Sequence, residues 1–445
     1  MTQKELDLKS IRSAILHLCK AYFDAAEKTP FVPGTTYIPA TAKCLDAADL
    51  CHCVDASLDM WLTGGRFSRE LESRLSPLFG RQTSAVLVNS GSSANLLALS
   101  ALGAETASQA GLTPLKAGDE IITVAAGFPT TVNPIFQNGW TPVFVDIESA
   151  TLNTTLERLK EAQSPKTRAV ILAHTLGNPY SADTIARWCT ENEYILIEDC
   201  CDALGAEVGG QRVGSFGHYA TVSFYPAHHI TMGEGGAVIA ANGKLKRLAE
   251  SLRDWGRDCW CETGKDNTCG KRFGWELGEL PCGYDHKYIY SNVGYNLKVT
   301  DMQAAIGLSQ LDKVKVFIDQ RRKNWMTLNN AVKSSPLLNE RLTVVAPTPN
   351  TCPSWFGFAM LCQPGVNRLK LTQSLEERKV GTRLVFGGNL LCQPAYQNKT
   401  YRVVGDLPET NRVMHQAFWI GVHPRLGQVE LEYMVENLEA CLKLQ

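Results

Sequence analysis

Five short apolar stretches, Ala85–Asn89, Glu120–Val124, Thr141–Val145, Ala169–His174 and Tyr194–Asp199, alternate with helical stretches along the first half of the chain. Strands joined through helices need crossover connections, which make neighbouring strands parallel and cover both faces of the sheet. The pattern therefore predicts an α/β fold around a large, mixed, mostly parallel sheet. At 445 residues the chain exceeds what one core usually holds, so a second domain is expected. From about residue 316 the character changes. Charged helices (Asp312–Lys333, which straddles the boundary, and Val429–Leu444) flank shorter strands with Pro-rich turns. The division read from this is a large domain over 59–315, with a cysteine loop at 256–285, and a smaller α+β domain over 316–445. A helical segment over 1–58 is expected to pack with the small domain. Within it, Ile11, Ile15, Leu18 and Tyr22 fall at helical spacing, before a Pro/Gly-rich link from Pro30 to Pro39.

Lys and Arg number 44 against 45 Asp and Glu, a balance that gives no support for nucleic-acid binding or a basic membrane surface. The first residues carry acids without an apolar core, unlike a secretory signal, and no apolar run is long enough to span a bilayer. A cytoplasmic protein is expected. In a reducing compartment, 15 cysteines point to metal or redox use rather than disulfides. Most of them, including Cys19, Cys189, Cys352, Cys362 and Cys441, stand in apolar contexts and read as core packing.

Residues 223–236 read Ser-Phe-Tyr-Pro-Ala-His-His-Ile-Thr-Met-Gly-Glu-Gly-Gly. The frame resembles the Ser-Phe-x-Pro-x-Lys…Gly-x-Gly-Gly segment of sugar aminotransferases that use pyridoxal phosphate (PLP), with His228 in the lysine's place. In those enzymes the lysine anchors the cofactor as a Schiff base, which requires a primary amine. Imidazole cannot form that bond, but it moves protons near neutral pH. The resemblance thus implies loosely held cofactor, as pyridoxamine phosphate (PMP), and chemistry other than transamination. The plain alternative is an inactive enzyme with an ordinary histidine.

Ser90-Gly-Ser-Ser-Ala-Asn follows a strand and opens the helix Leu96–Leu102, so Gly91, Ser92 and Ser93 read either as a phosphate cradle or as simple capping. Asp199 ends the strand Tyr194–Asp199, where ligands bind in open α/β sheets. A carboxylate there can pair with a pyridinium nitrogen or simply cap the next segment. Ser223 would be a second phosphate ligand, and Phe128 would stack on the ring or pack in the core. In order and residue type these positions match the DegT/DnrJ/EryC1/StrS family of sugar aminotransferases, clearly over about residues 55–315. The resemblance implies the fold type I PLP-dependent transferase architecture, a homodimer and an active site shared across its interface. It also implies that Asn296, in Gly-Tyr-Asn-Leu-Lys, reaches the phosphate of the neighbouring subunit. His174, Asn178 and Tyr225 are candidates for sugar contact from their strand-end or loop positions, and His229 reads as a neighbour of the base.

Cys259, Cys261 and Cys269 lie in one polar, Gly-containing loop, and Cys201 stands two residues beyond Asp199. Four thiolates suit either a 2Fe–2S cluster or structural zinc. Residues 199 and 201 are at most about 7 Å apart in extended chain, so a metal on Cys201 lies near the ring, where a redox centre has a use and zinc has none. Cys51, Cys53 and Cys200 have no placed partners and read as structural. The spacing Cys-x57-Cys-x-Cys-x7-Cys, together with His228, resembles one branch of the family, the CDP-4-keto-6-deoxy-D-glucose 3-dehydrases of 3,6-dideoxyhexose biosynthesis.

That branch implies reductive removal of the C3 hydroxyl from a nucleotide-linked 4-keto-6-deoxyhexose. His228 takes a proton from the cofactor, and electrons arrive through the cluster from a separate NADH-dependent reductase carrying flavin and iron–sulfur. Two other readings stay open: a cluster-free PMP/PLP-dependent 3-dehydrase with glutamate as amino donor, and a non-catalytic sugar-nucleotide sensor with structural zinc.

Overall fold

The computed structural model describes residues 3–26, 30–80 and 82–445. Residues 1–2 and 27–29 of the expected N-terminal helical segment, and residue 81, lie outside the described residues.

All five strands read from the sequence enter one eight-stranded sheet. Its order is Ser84–Val88, Gly236–Ala240, Tyr219–Ser223, Ile195–Asp199, Thr167–Ala173, Glu120–Val124, Thr141–Val145 and Arg402–Val403. From Tyr219–Ser223 to Arg402–Val403 every pairing is parallel. Gly236–Ala240 alone is reversed against both neighbours. Period-2 alternation gives each face its own core. Ala85 and Leu87 join Ile122, Val143 and Leu172 on one side; Val86 and Val88 join Ile121, Ile171 and Ile197 on the other. Helices Gly91–Ser100 and Gly243–Arg253 cover that second face. Burying one such Val, Leu or Ile side chain is worth about 1.5–3 kcal/mol, so the sheet is a stiff base for whatever stands at its carboxyl ends.

The C-terminal part holds an antiparallel four-stranded sheet ordered Leu342–Val344, Gly357–Cys362, Ala417–Gly421, Thr382–Arg383. Helices Val314–Ser334 and Gln428–Leu442 pack on it through Trp325, Leu328, Leu431 and Met434. Two excursions lace it to the rest: Arg402–Val403 edges the large sheet, and Thr351–Cys352 pairs with Glu207–Val208. The N-terminal segment divides. Ile38 bridges Val380, and Pro39 O meets His423 Nε2 at 3.0 Å, against the small sheet. Helix Ala47–Leu58 instead lies on Asp301–Leu311 of the large domain, where buried Asp49 accepts from Gln310 Nε2 (2.7 Å) and Lys313 Nζ (2.8 Å). Helix Gln3–Ala25 leaves Ile11, Leu18 and Tyr22 exposed and ties Arg12 to Asp55 and Asp59.

Cys189, Cys362 and Cys441 are buried. Cys352 corrects the core assignment: it is exposed, on a two-residue edge strand, and Cys19 is half-buried. No described cysteine is in a disulfide. No described helix is long and apolar enough to cross a membrane.

Candidate active site

Parallel register sets the carboxyl ends level, with Asp199 opposite Ala173 and Thr221 at the middle of the sheet. Asp199 is 5 % exposed. Its Oδ2 accepts from Asn95 Nδ2 (2.8 Å) and Thr131 Oγ1 (2.7 Å), and its Oδ1 from Cys201 N (3.1 Å). Thr221 Oγ1 donates to Asn95 Oδ1 (2.7 Å), which fixes the amide with its NH2 toward the carboxylate. Every one of these donors is neutral. A buried carboxylate surrounded only by neutral donors lacks a counter-charge, and a pyridinium N–H supplies one.

Gly91, Ser92 and Ser93 form the first turn of helix Gly91–Ser100. Ser90, with extended backbone, caps it by accepting from Ser93 N at 3.0 Å. Ser92 Oγ is within 3.2 Å of Thr130 Oγ1, and Ser93 Oγ donates to Asn89 Oδ1 at 2.6 Å. A Cβ on Gly91 would stand 2.5 Å from Ser223 Cβ and 3.0 Å from Cys201 Sγ. Glycine is thus what lets helix, Ser223 and Cys201 meet at a helix N-terminus, the end that favours an anion. Gly91→Ala is expected to force Ser223 aside, lower stability by about 1–3 kcal/mol in urea titration and weaken PMP binding. Unchanged affinity in isothermal titration would remove the cradle. Phe128, at 48 % exposure, precedes helix Pro129–Gln137, whose Thr130 and Thr131 reach Ser92 and Asp199. It stands at the rim, edge-on to Phe386 (6.1 Å between centroids).

His228 lies in the turn after Ser223, its Nδ1 3.4 Å from Asp202 Oδ1 and its ring 5.2 Å from that of Phe356. The small domain holds this turn. Arg321, fully buried, donates to the carbonyls of His228 (3.2 Å) and Phe356 (3.3 Å), and burial pulls its guanidinium down to about 10. His229 is buried, with Nε2 2.9 Å from Ser354 O. Burial and the nearby Arg321 charge hold it well below the usual imidazole range, so it is a neutral packing residue.

Asp202 and Arg321 were not legible as site residues; their signal is only proximity to Asp199 and a helix otherwise read as scaffold. Asn95, Thr131 and Thr221 were missed too, although Asn95 stands in the Ser-Gly-Ser-Ser-Ala-Asn run. Two sugar-contact candidates are corrected. His174 is fully buried, stacked on Tyr180 at 4.2 Å with Nε2 3.2 Å from Glu198 Oε2. Asn178 is fully buried and bonds Thr151 O, Ala346 O and Thr348 N. Tyr225 is exposed. Among the described residues, His174, Glu198 and Cys200 bring their ligand atoms within 4.8 Å of one another. Glu198 already accepts from the backbone amides of Gly214, Phe216 and Gly217, which accounts for its charge without metal.

Cys259, Cys261 and Cys269 line a small pocket with His286, Asp285 and Asp266. Cys261 N donates to Cys259 Sγ (3.4 Å), Thr268 Oγ1 to Cys261 Sγ (3.0 Å), and Cys269 Sγ is 3.8 Å from His286 Nδ1. Burial alone would raise the Cys261 thiol, but hydrogen bonds from Thr268 and Cys259 bring it to about 7, a ready metal ligand. His286 is 2.6 Å from Asp258 Oδ1 and stacked on Trp275, the type of outer-shell support that orients thiolate ligands. Cys201 is elsewhere, against Gly91 and Asp199; burial and the Asp199 charge push its thiol well up. Cys201 is therefore not among the residues lining the pocket of Cys259, Cys261 and Cys269, whereas the residues that would hold PMP come together around Asp199 and Gly91. Asn296 is exposed and bridges Asp254 at the base of the cysteine loop.

The chain is similar to known proteins over most of its length. A lipopolysaccharide biosynthesis protein, RfbH, of Salmonella typhimurium is 51 % identical over 433 residues, covering 97 % of this chain and 98 % of the relative. A dTDP-4-dehydro-2,6-dideoxy-D-glucose 3-dehydratase of Saccharopolyspora spinosa is 49 % identical over 429 residues, 96 % of this chain and 91 % of its own. The structure of E. coli GDP-4-keto-6-deoxy-D-mannose-3-dehydratase with bound hydrated PLP superposes with a TM-score of 0.79 at 28 % identity, over 91 % of this chain and 100 % of that one. Residues 44–439 match a single family description. With that match over most of its length, the chain belongs to the DegT/DnrJ/EryC1/StrS aminotransferase family.

Proposed function

We propose that the protein is a homodimeric, cytoplasmic enzyme that removes the C3 hydroxyl from a nucleotide-linked 4-keto-6-deoxyhexose. The observation that carries this reading is His228, backed by Asp202, where a lysine would anchor the cofactor, beside a cofactor site otherwise intact. PMP, when bound, supplies an amine for the C4 ketone and a ring that accepts electrons. Asp199 would hold the ring nitrogen charged. Gly91, Ser92, Ser93 and Ser223 would hold the phosphate, with Asn296 of the second subunit, and Phe128 would cover the ring. With the Asp202 carboxylate 3.4 Å from Nδ1, the His228 ring would take up a proton and return it to the departing hydroxyl. The relatives' names support sugar-nucleotide 3-dehydration in deoxysugar and lipopolysaccharide biosynthesis.

The finer reading is reductive: CDP-4-keto-6-deoxyglucose as substrate, a 2Fe–2S cluster on Cys201, Cys259, Cys261 and Cys269, and a separate NADH-dependent flavin and iron–sulfur reductase. Iron, acid-labile sulfide and zinc content, with an EPR spectrum after dithionite, test it on protein purified without oxygen. About two irons and two sulfides per chain are expected. Zinc alone, or no metal, would point to the cluster-free dehydrase or the sensor. Cys261→Ser is expected to lose the EPR signal and NADH-dependent turnover while binding PMP as before. Full turnover in that variant contradicts the electron relay.

A further inference from the structure

We infer that Arg321 is a positioning residue for the proton-moving step, setting the aim of the His228 ring from behind. This rests on the dehydration reading proposed above and adds what fixes the geometry of its acid–base group. A lysine in that place would be fixed to the cofactor by its own covalent bond. His228 has no such tether, so its aim depends wholly on what holds the turn. Within the turn, His228 N donates to Tyr225 O at 2.9 Å, and Met232 N closes the base on Phe224 O. The tip leans on other parts of the chain. Arg321 Nη2 donates to His228 O (3.2 Å), and Nη1 to Trp355 O (3.4 Å) and Phe356 O (3.3 Å). One planar fork thus ties residue 228 to the segment its ring rests on, with the Phe356 ring 5.2 Å away.

The same segment seats Asp202. Ser354 N donates to Gly177 O (3.0 Å) and Phe356 N to Leu176 O (2.8 Å), while His229 Nε2 meets Ser354 O at 2.9 Å. Gly177, at φ +85°, comes so close that a Cβ would stand 1.9 Å from Ser354 O and 2.9 Å from Asp202 O. His228 and the carboxylate beside its Nδ1 are therefore both registered against residues 354–356, which lead into strand Gly357–Cys362. Arg321 is 1 % exposed. Among the described residues its hydrogen bonds go to carbonyls alone, and its Nε has no partner. Burying a guanidinium without a bonded carboxylate is costly, and a methionine of similar length would fill the space without that cost. What the arginine adds is a three-way hold, on the one turn whose side chain must meet an untethered cofactor at a fixed angle.

Arg321→Met and Arg321→Lys test this in the PMP-loaded protein. Methionine keeps the stem and loses every donor; lysine keeps a charge but offers one nitrogen in place of the fork. The maximal rate of C3 dehydration should fall about 10–100-fold in Arg321→Met, the scale of a misplaced catalytic group. PMP affinity and KM for the sugar nucleotide should stay within about twofold of wild type, as for a group that acts only on the chemical step. Arg321→Lys should lose less rate and show the same split, and the same criteria apply to it alone where Arg321→Met does not fold. A second readout does not depend on the reaction. With histidine labelled in heavy nitrogen, the NMR signals of the His228 ring, identified by their loss in His228→Asn, report which nitrogen carries the proton. In wild type it should sit on Nδ1, facing Asp202; in Arg321→Met it should be shared between both nitrogens. Full rate in Arg321→Met, rate and PMP affinity lost together, or unchanged ring signals would each overturn the inference. Wild-type protein that performs no dehydration overturns the proposed function instead, and the ring signals still decide the role of Arg321.

Discussion

His228→Asn is expected to slow C3 dehydration by about 10²–10⁴-fold, the usual worth of a positioned acid–base group, and to leave PMP affinity unchanged. Asparagine keeps a polar atom near Asp202 and the backbone bond from Arg321 to residue 228, so the turn should hold. It cannot carry a proton near neutral pH. The readout is single-turnover formation of the dehydrated sugar, with PMP affinity measured separately. Equal loss of both would mean a merely structural role, and retained dehydration would take His228 out of the mechanism.

Asp199→Asn is the second large effect. The substitution keeps size, and its one carbonyl oxygen can still accept from Cys201 N, but the amide carries no charge and no longer accepts from Thr131 as well. It also sets an NH2 group in competition with that of Asn95. A hydrogen bond to a charged group is worth about 1.5–3 kcal/mol, so PMP should bind about 10–150-fold more weakly at 1.4 kcal/mol per tenfold. The absorption of the bound cofactor should also shift to that of an unprotonated ring. Wild-type affinity and spectrum in this variant would show that Asp199 serves only the interior network of Asn95, Thr131 and Thr221.

The sequence told most where the physics is local. The five strands read from apolar runs fall within two residues of their observed bounds, because parallel strands buried on both faces need little besides apolar residues. The reversed strand Gly236–Ala240 escaped notice, since Gly-Ala-Val-Ile-Ala carries no mark of direction. Asp199 was legible from its place at a strand end, but the same logic misplaced His174. Strand-end position does not say which face a side chain takes, and His174 turned into the core beside Glu198. The cysteine spacing suggested four ligands to one centre, but spacing along a chain does not say where a residue folds, and Cys201 lies against Gly91 rather than in the pocket of Cys259, Cys261 and Cys269. Arg321 was read only as part of a charged helix; that it is fully buried and holds the His228 turn depends on how helix Val314–Ser334 packs against residues distant in sequence.

The most direct test is the product. CDP-4-keto-6-deoxyglucose is incubated with the anaerobically purified protein, PMP, NADH and a flavin and iron–sulfur reductase, and the sugar is identified by NMR and mass. The account predicts a 3-deoxy sugar with no nitrogen incorporated, formed only when PMP is present. A sugar bearing an amine at C4, with its C3 hydroxyl intact, would contradict it.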